Sequence, residues 1–179
     1  MTTATVFRVG DLDQNRPTPF EIRPKAEELS LLASELGLLD LRKLSFVGEL
    51  RAEGARDWLL TARLGATVVQ PCVVTLDPVT TRIDIDVRRI YVADLPEPEG
   101  EEVEMPEDDT LEQLGSTIDP GAVMTEALAL AVPLYPRKAD ADLGEAVYAE
   151  PGTKPMTDDE AKPFAGLSDL RDALKKDEG

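Results

Sequence analysis

Apolar residues recur with a period of two over three stretches of the chain and with a helical period over two shorter ones. Between Leu44 and Ala52, one face carries Leu44, Phe46, Leu50 and Ala52, and the other carries Ser45, Glu49 and Arg51. In the run from Trp58 to Leu76, one face collects Trp58, Leu60, Ala62, Leu64, Ala66 and Val68. Further on, Ile83, Ile85 and Val87 alternate with Asp84 and Asp86. This alternation predicts half-buried strands. The phase slips at Arg88-Arg89, because Ile90 and Val92 are out of register with Val87, and a β-bulge there would reconcile the two halves. Residues 53–57 (EGARD) and 76–81 (LDPVTT) predict the connecting turns. Shorter strands are predicted at residues 4–9 and Phe20–Ile22.

Two helices are predicted. After Pro24, the residues Ala26, Leu29, Leu32, Ala33 and Leu36 share a helical face, and Gly37 suits a left-handed cap. Asp119 and Pro120 then offer an N-cap and a first-turn proline. Val123, Ala127 and Leu130 form the apolar face, and Pro133 ends the helix. Together these elements predict an α+β fold: a twisted antiparallel β-sheet or partly closed barrel, with two packed helices. Residues 1–136 make one globular domain with an acidic loop at 94–112. Residues 137–160 read as a flexible linker. A short amphipathic helix at 161–176 carries the stripe Phe164, Leu167, Leu170 and Leu174.

Composition narrows the chemistry. The 179 residues contain no histidine and one cysteine, Cys72. This excludes Ser-His and Cys-His nucleophile pairs, an internal disulfide and a Cys/His zinc site within one chain. The expectation is a non-enzymatic protein without a cofactor, in a reducing cytoplasm, with no membrane span and no small-molecule substrate. The net charge of -17 is unevenly spread. Residues 1–95 carry twelve Lys/Arg against fourteen Asp/Glu, whereas residues 96–179 carry seven against twenty-two. A basic face for nucleic acid is therefore possible only in the near-neutral first half.

Candidate groups are few. Arg82, Arg88 and Arg89, with Arg63, form the densest basic feature of the first half and suit phosphate or carboxylate. Edge protection and ion pairing with Asp84 and Asp86 are the plainer explanation. Asp84 and Asp86 have the form of a short acidic metal motif, and also of a solvated strand face. Cys72, in phase with Leu60 and Leu64 if the strand stays regular, reads as a small buried apolar residue. No lysine or arginine lies close in sequence to depress its pKa.

Three segments carry a family resemblance. ATVVQPCVVTLDPV (66–79) resembles a strand with a C-x-x-C corner, with Cys72 at the first position and Thr75 at the second. IDPGAVMTEALALAVPLYP (118–136) is similar to a segment with an Asp before a helix, a mid-helix Glu and a closing L-x-L-x-x-P-x-x-P, here Asp119, Glu126, Leu128, Leu130, Pro133 and Pro136. KPFAGLSDLRDALK (162–175) is similar to a terminal N-P-F-A-x-L-x-x-L-K, with Pro163 and Phe164 in place and Lys162 where the family has Asn. In this order they resemble the YceD-like family, the large ribosomal RNA subunit accumulation proteins. The resemblance implies a bacterial factor supporting large-subunit (23S) rRNA accumulation or processing and ribosome assembly. Its partner would be large-subunit rRNA, or else a basic ribosomal or assembly protein gripped by an acidic interaction module. With Thr75 at the second position, the cysteine pair is broken and no metal or redox role follows. An enzymatic alternative is a carboxylate-dependent nuclease using Asp84 and Asp86.

Overall fold

A computed structural model describes residues 6–94 and 110–141. The chain divides into two compact units, Met1–Lys138 and Ala139–Gly179. Nearly all the described residues belong to the first. Most of the predicted acidic loop, most of the linker, and the terminal helix with Pro163 and Phe164 lie outside the described residues.

In chain order the elements are β1 (Phe7–Arg8), β2 (Thr18–Ile22), α1 (Ala26–Glu35), β3 (Asp40–Glu53), β4 (Asp57–Pro71), β5 (Pro78–Val92), β6 (Leu111–Gln113), β7 (Thr117–Ile118) and α2 (Pro120–Ala131). The main sheet has five strands in the order β2-β3-β4-β5-β6, and β1 pairs separately with β7. The sheet stays open, which decides against the barrel. It is also mixed: β2 to β5 are antiparallel, but β6 runs parallel to β5. The predicted loop at 94–112 therefore ends in strand, at Leu111 and Glu112. Three residues without alternation carry no periodic signal, and it is their backbone bonds to the end of β5 that define β6.

The core lies on one face of the sheet. Phe46, Leu50, Leu60, Leu64 and Val68 are fully enclosed there with Ile118 and Leu128. Ala33 of α1 and Val123, Met124, Ala127 and Leu128 of α2 join the same cluster. Leu130, predicted on the inward face of α2, is instead exposed. Pro120 sets the phase, so positions three, four, seven and eight residues later turn inward, and Leu130, ten residues on, lies off that face. Gly48 faces Ala62 across the β3–β4 ladder, and a Cβ there would meet the Thr61 carbonyl oxygen at 2.2 Å. Only glycine lets the strands approach so closely at that point.

Two predictions about the long hairpin are corrected. β4 pairs with β5 in one unbroken register from Trp58↔Tyr91 to Pro71↔Pro78, so there is no bulge at Arg88-Arg89. Arg89 simply occupies an inward position, next to Val87 and Tyr91, while Ile90 sits on the other face opposite Leu59. The irregularity lies in β3, between Arg42 and Ser45, where Lys43 has φ 52. The turn also falls earlier than predicted. Pro71 and Pro78 face each other, neither can donate to the ladder, and pairing ends there. Cys72 to Asp77 is the turn, and Cys72 is at its corner rather than inside the strand.

Candidate interaction surfaces

The Cys72 corner gathers both of the described family segments. Cys72 N–H donates to the Asp77 carbonyl at 2.7 Å, and Leu76 N–H returns to the Cys72 carbonyl at 2.9 Å. The chain leaving α2 then packs against this turn. Val73 N–H donates to the Pro136 carbonyl at 3.0 Å, and Gln70 Nε2 donates to the Pro133 carbonyl at 3.0 Å. Lys138 Nζ pairs with Asp77 at 3.1 Å. The Pro133 and Pro136 positions thus supply carbonyl acceptors that fasten the end of α2 to the β4–β5 turn.

The thiol of Cys72 is fully enclosed. The Lys138 N–H, the Thr75 hydroxyl and the Thr75 N–H all favour its thiolate. Burial pushes the other way, the Val74 N–H adds to the lowering, and the thiol falls to about 6. The expectation of an unperturbed cysteine is therefore corrected. The sequence lacks a nearby cation, but the folded turn aims backbone N–H groups at the sulfur, which no spacing rule reveals. Val74 N–H donates to Cys72 Sγ at 3.5 Å, and Thr75, at the second position of the C-x-x-C pattern, accepts from Asp77 N–H through its hydroxyl at 3.4 Å. Around this buried thiol the surface is apolar: Val73, Leu76, Leu134 and Tyr135 are all exposed. Leu76 has φ 63 and is three-quarters exposed, a conformation that costs a branched side chain about 1 kcal/mol or more.

The four candidate arginines separate onto two faces. Arg63, Arg82 and Arg88 lie on the open face of β4 and β5, away from the helices. Arg63 faces Asp86 across the ladder, with an ion pair of 3.8 Å. Arg82 holds Asp84 through two bonds, Nε–Oδ2 at 2.7 Å and Nη2–Oδ1 at 2.6 Å. These bonds keep the Asp84 carboxylate below its ordinary range. Arg88 is exposed beside Val47, Thr61 and Arg63. Arg89 is the exception. It points under α2, bonds Glu126 at 2.8 Å and lies 3.7 Å from Glu112 of β6. Burial weakens its cationic form, but Glu126 and then Glu112 more than restore it. Arg89 is therefore a tie between sheet, helix and β6 rather than part of an open basic surface. The family position Glu126 has the same structural job.

Asp119 is the N-cap of α2, accepting from Gly121 N–H at 2.8 Å and Ala122 N–H at 3.3 Å. Asp84 and Asp86 do share one face, but each is bound to its own arginine. Among the described residues no group of three His, Cys, Asp or Glu side chains is placed to hold a metal ion. No described helix is long and apolar enough to cross a membrane.

Among the described residues, an open sheet with helices on one face and exposed arginines and carboxylates on the other defines an α+β scaffold. The family model described as large ribosomal RNA subunit accumulation protein YceD matches residues 60–171. That is more than half of the chain, and the chain belongs to this family. The match takes in the β4–β5 hairpin, the Cys72 corner, α2 and the terminal segment as far as Arg171. The family description ties the chain to accumulation of large-subunit rRNA. No curated protein and no solved structure matches the chain.

Proposed function

We propose that this protein is a non-enzymatic, cytoplasmic bacterial factor that supports 23S rRNA accumulation during ribosome assembly by meeting rRNA with the open face of its sheet. The observation carrying this reading is the disposition of Arg63, Arg82 and Arg88 on that face, on a chain of the rRNA-accumulation family. The ion pairs with Asp84 and Asp86 hold two of these guanidiniums in place, and a guanidinium keeps further N–H donors for phosphate. The strong negative charge of residues 96–179 limits indiscriminate binding to nucleic acid. The test is a strain lacking the protein, with precursor and mature rRNA of both subunits quantified. Large-subunit rRNA should fall relative to small-subunit rRNA. It should recover with the wild-type chain but not with one carrying Arg63→Gln, Arg82→Gln and Arg88→Gln. Normal large-subunit rRNA in the deletion strain contradicts the proposal.

A second reading is an interaction module for a basic ribosomal or assembly protein, with indirect effects on rRNA. The exposed apolar corner of Val73, Leu76, Leu134 and Tyr135 favours it, since clustered apolar exposure on a rigid turn marks contact surfaces. Salt-sensitive capture of such a protein, without RNA crosslinks and lost in Leu134→Asp, would select this reading.

A further inference from the structure

The irregularity in β3 creates a feature that the family description does not account for and that, of the arginines singled out from sequence, only Arg82 lines. Where the register shifts between Arg42 and Ser45, a surface hollow of about 510 Å³ opens on the sheet. Arg23, Lys43, Ser45, Thr67 and Arg82 line it, with Leu44. These side chains come from the end of β2 and from three successive strands. The lining therefore offers three cations and two hydroxyls and contains no carboxylate.

The nearby carboxylates are already committed. Glu21 binds Arg23, two residues on, and Asp84 binds Arg82 in the same way. Both pairs orient a guanidinium while leaving part of its donor fork unused. Gly65 makes room for one of them: a Cβ there would lie 2.6 Å from Arg82 Nη2 and 3.1 Å from Asp84 Oδ1. Arg82 Nη1 also reaches the Thr67 hydroxyl at 3.4 Å. Lys43 makes no ion pair with another described residue. It has φ 52, a conformation that glycine or asparagine adopts far more readily than lysine. A lysine kept at an unfavourable backbone position, beside two pre-oriented guanidiniums and two hydroxyls, suits a compact polyoxyanion.

We infer that the hollow at the β3 bulge, formed by Arg23, Lys43, Ser45, Thr67 and Arg82, binds a phosphate group. In the proposed function this phosphate belongs to the rRNA backbone. The inference rests on that reading only for the carrier of the phosphate, because a free phosphate would satisfy the same donors.

The test is titration of the full-length ¹⁵N-labelled chain with inorganic phosphate and, separately, with a short single-stranded RNA, followed by amide NMR. Wild type and Lys43→Asn are compared. Asparagine accepts the left-handed backbone but removes the charge, so the fold is retained. Amides of Lys43, Ser45, Thr67 and Arg82 should shift in the wild type and be silent in Lys43→Asn. For RNA, the slope of log affinity against log salt should fall by about 0.7 in the variant, as for one lost phosphate contact on a single strand. Shifts with phosphate alone would assign the site to a free anion, and shifts with RNA alone to the polymer. Both preserve the site. No shift at these amides with either probe, or shifts unchanged in Lys43→Asn, would overturn it. Normal rRNA levels in the deletion strain would defeat the functional proposal while leaving phosphate binding at the hollow intact.

Discussion

On the helix-covered face of the sheet, Phe46, Leu50, Leu60 and Leu64 have no exposed surface. On the opposite face, β3, β4 and β5 present Val47, Arg63, Arg82 and Arg88 to solvent. Strand alternation produces both faces from one sequence, so the difference lies in what covers them. The helices supply Ala33, Val123, Met124, Ala127 and Leu128 to one side. Arg88 and Arg89 show the consequence most plainly. They are adjacent, yet one is exposed on the open face and the other is enclosed between Glu126 and Glu112. A guanidinium acts as a binding group or a structural tie according to its side of the sheet, not its neighbourhood in sequence.

Mutations should separate the faces by size of effect. Leu60→Ala removes a fully enclosed side chain and should destabilise by about 2–5 kcal/mol, whereas Val47→Ala should stay within about 0.5 kcal/mol. Urea denaturation of both variants checks this, and equal losses would mean that the open face is covered. Glu126→Ala leaves the Arg89 guanidinium largely enclosed without its closest partner. The cost should be about 1–2 kcal/mol, against almost nothing for Arg88→Ala. A large loss for Arg88→Ala in the same assay would make it structural and remove it from the proposed surface.

The apolar corner gives a smaller effect of opposite sign. Leu76→Gly relieves the positive φ and should stabilise by up to about 1 kcal/mol while reducing the exposed apolar surface. Loss of stability would mean that the Leu76 side chain is packed rather than offered to a partner. The Cys72 thiol adds a pH signature. Its ordinary value is 9.0, and the fold lowers it to about 6. A lowered folded-state pKa contributes stability that is fully present above about pH 9 and is lost as pH falls towards 6. Denaturation between these pH values should show that slope, and Cys72→Ser should remove it. Because the sulfur is enclosed, maleimide labelling should remain slow at every pH until the chain unfolds.

Much of the fold was legible in the sequence because burial on one face writes period-two and period-3.6 patterns directly. The faces of β3 and β4 and the first helix follow from such patterns, whereas the Asp119 cap follows from the Asp-Pro pair and the family resemblance from its motif residues. What was hidden depends on pairing across the sheet. β6 is too short to alternate, and its identity rests on backbone bonds to β5. The apparent slip at Arg88-Arg89 looked like a bulge because a charged residue at an inward position is unexpected without sight of Glu126, thirty-seven residues away. The real irregularity at Lys43 shows only as the three-residue step between Leu41 and Leu44, both buried, ahead of the run read as a strand, so the hollow beside it was missed. The lowered thiol was also hidden, since backbone N–H groups have no letter in the sequence.

Contact between the open face and large-subunit rRNA should leave a covalent trace under ultraviolet light. Ultraviolet crosslinking of the tagged protein in growing cells, with sequencing of the bound RNA and mass spectrometry of co-purified proteins, tests it most directly. Discrete crosslinks in large-subunit rRNA are expected, weakening when Arg63, Arg82 and Arg88 are replaced together by Gln. Recovery of a basic protein with no crosslinked rRNA would contradict that contact, and would transfer the function to the apolar corner and the acidic segments.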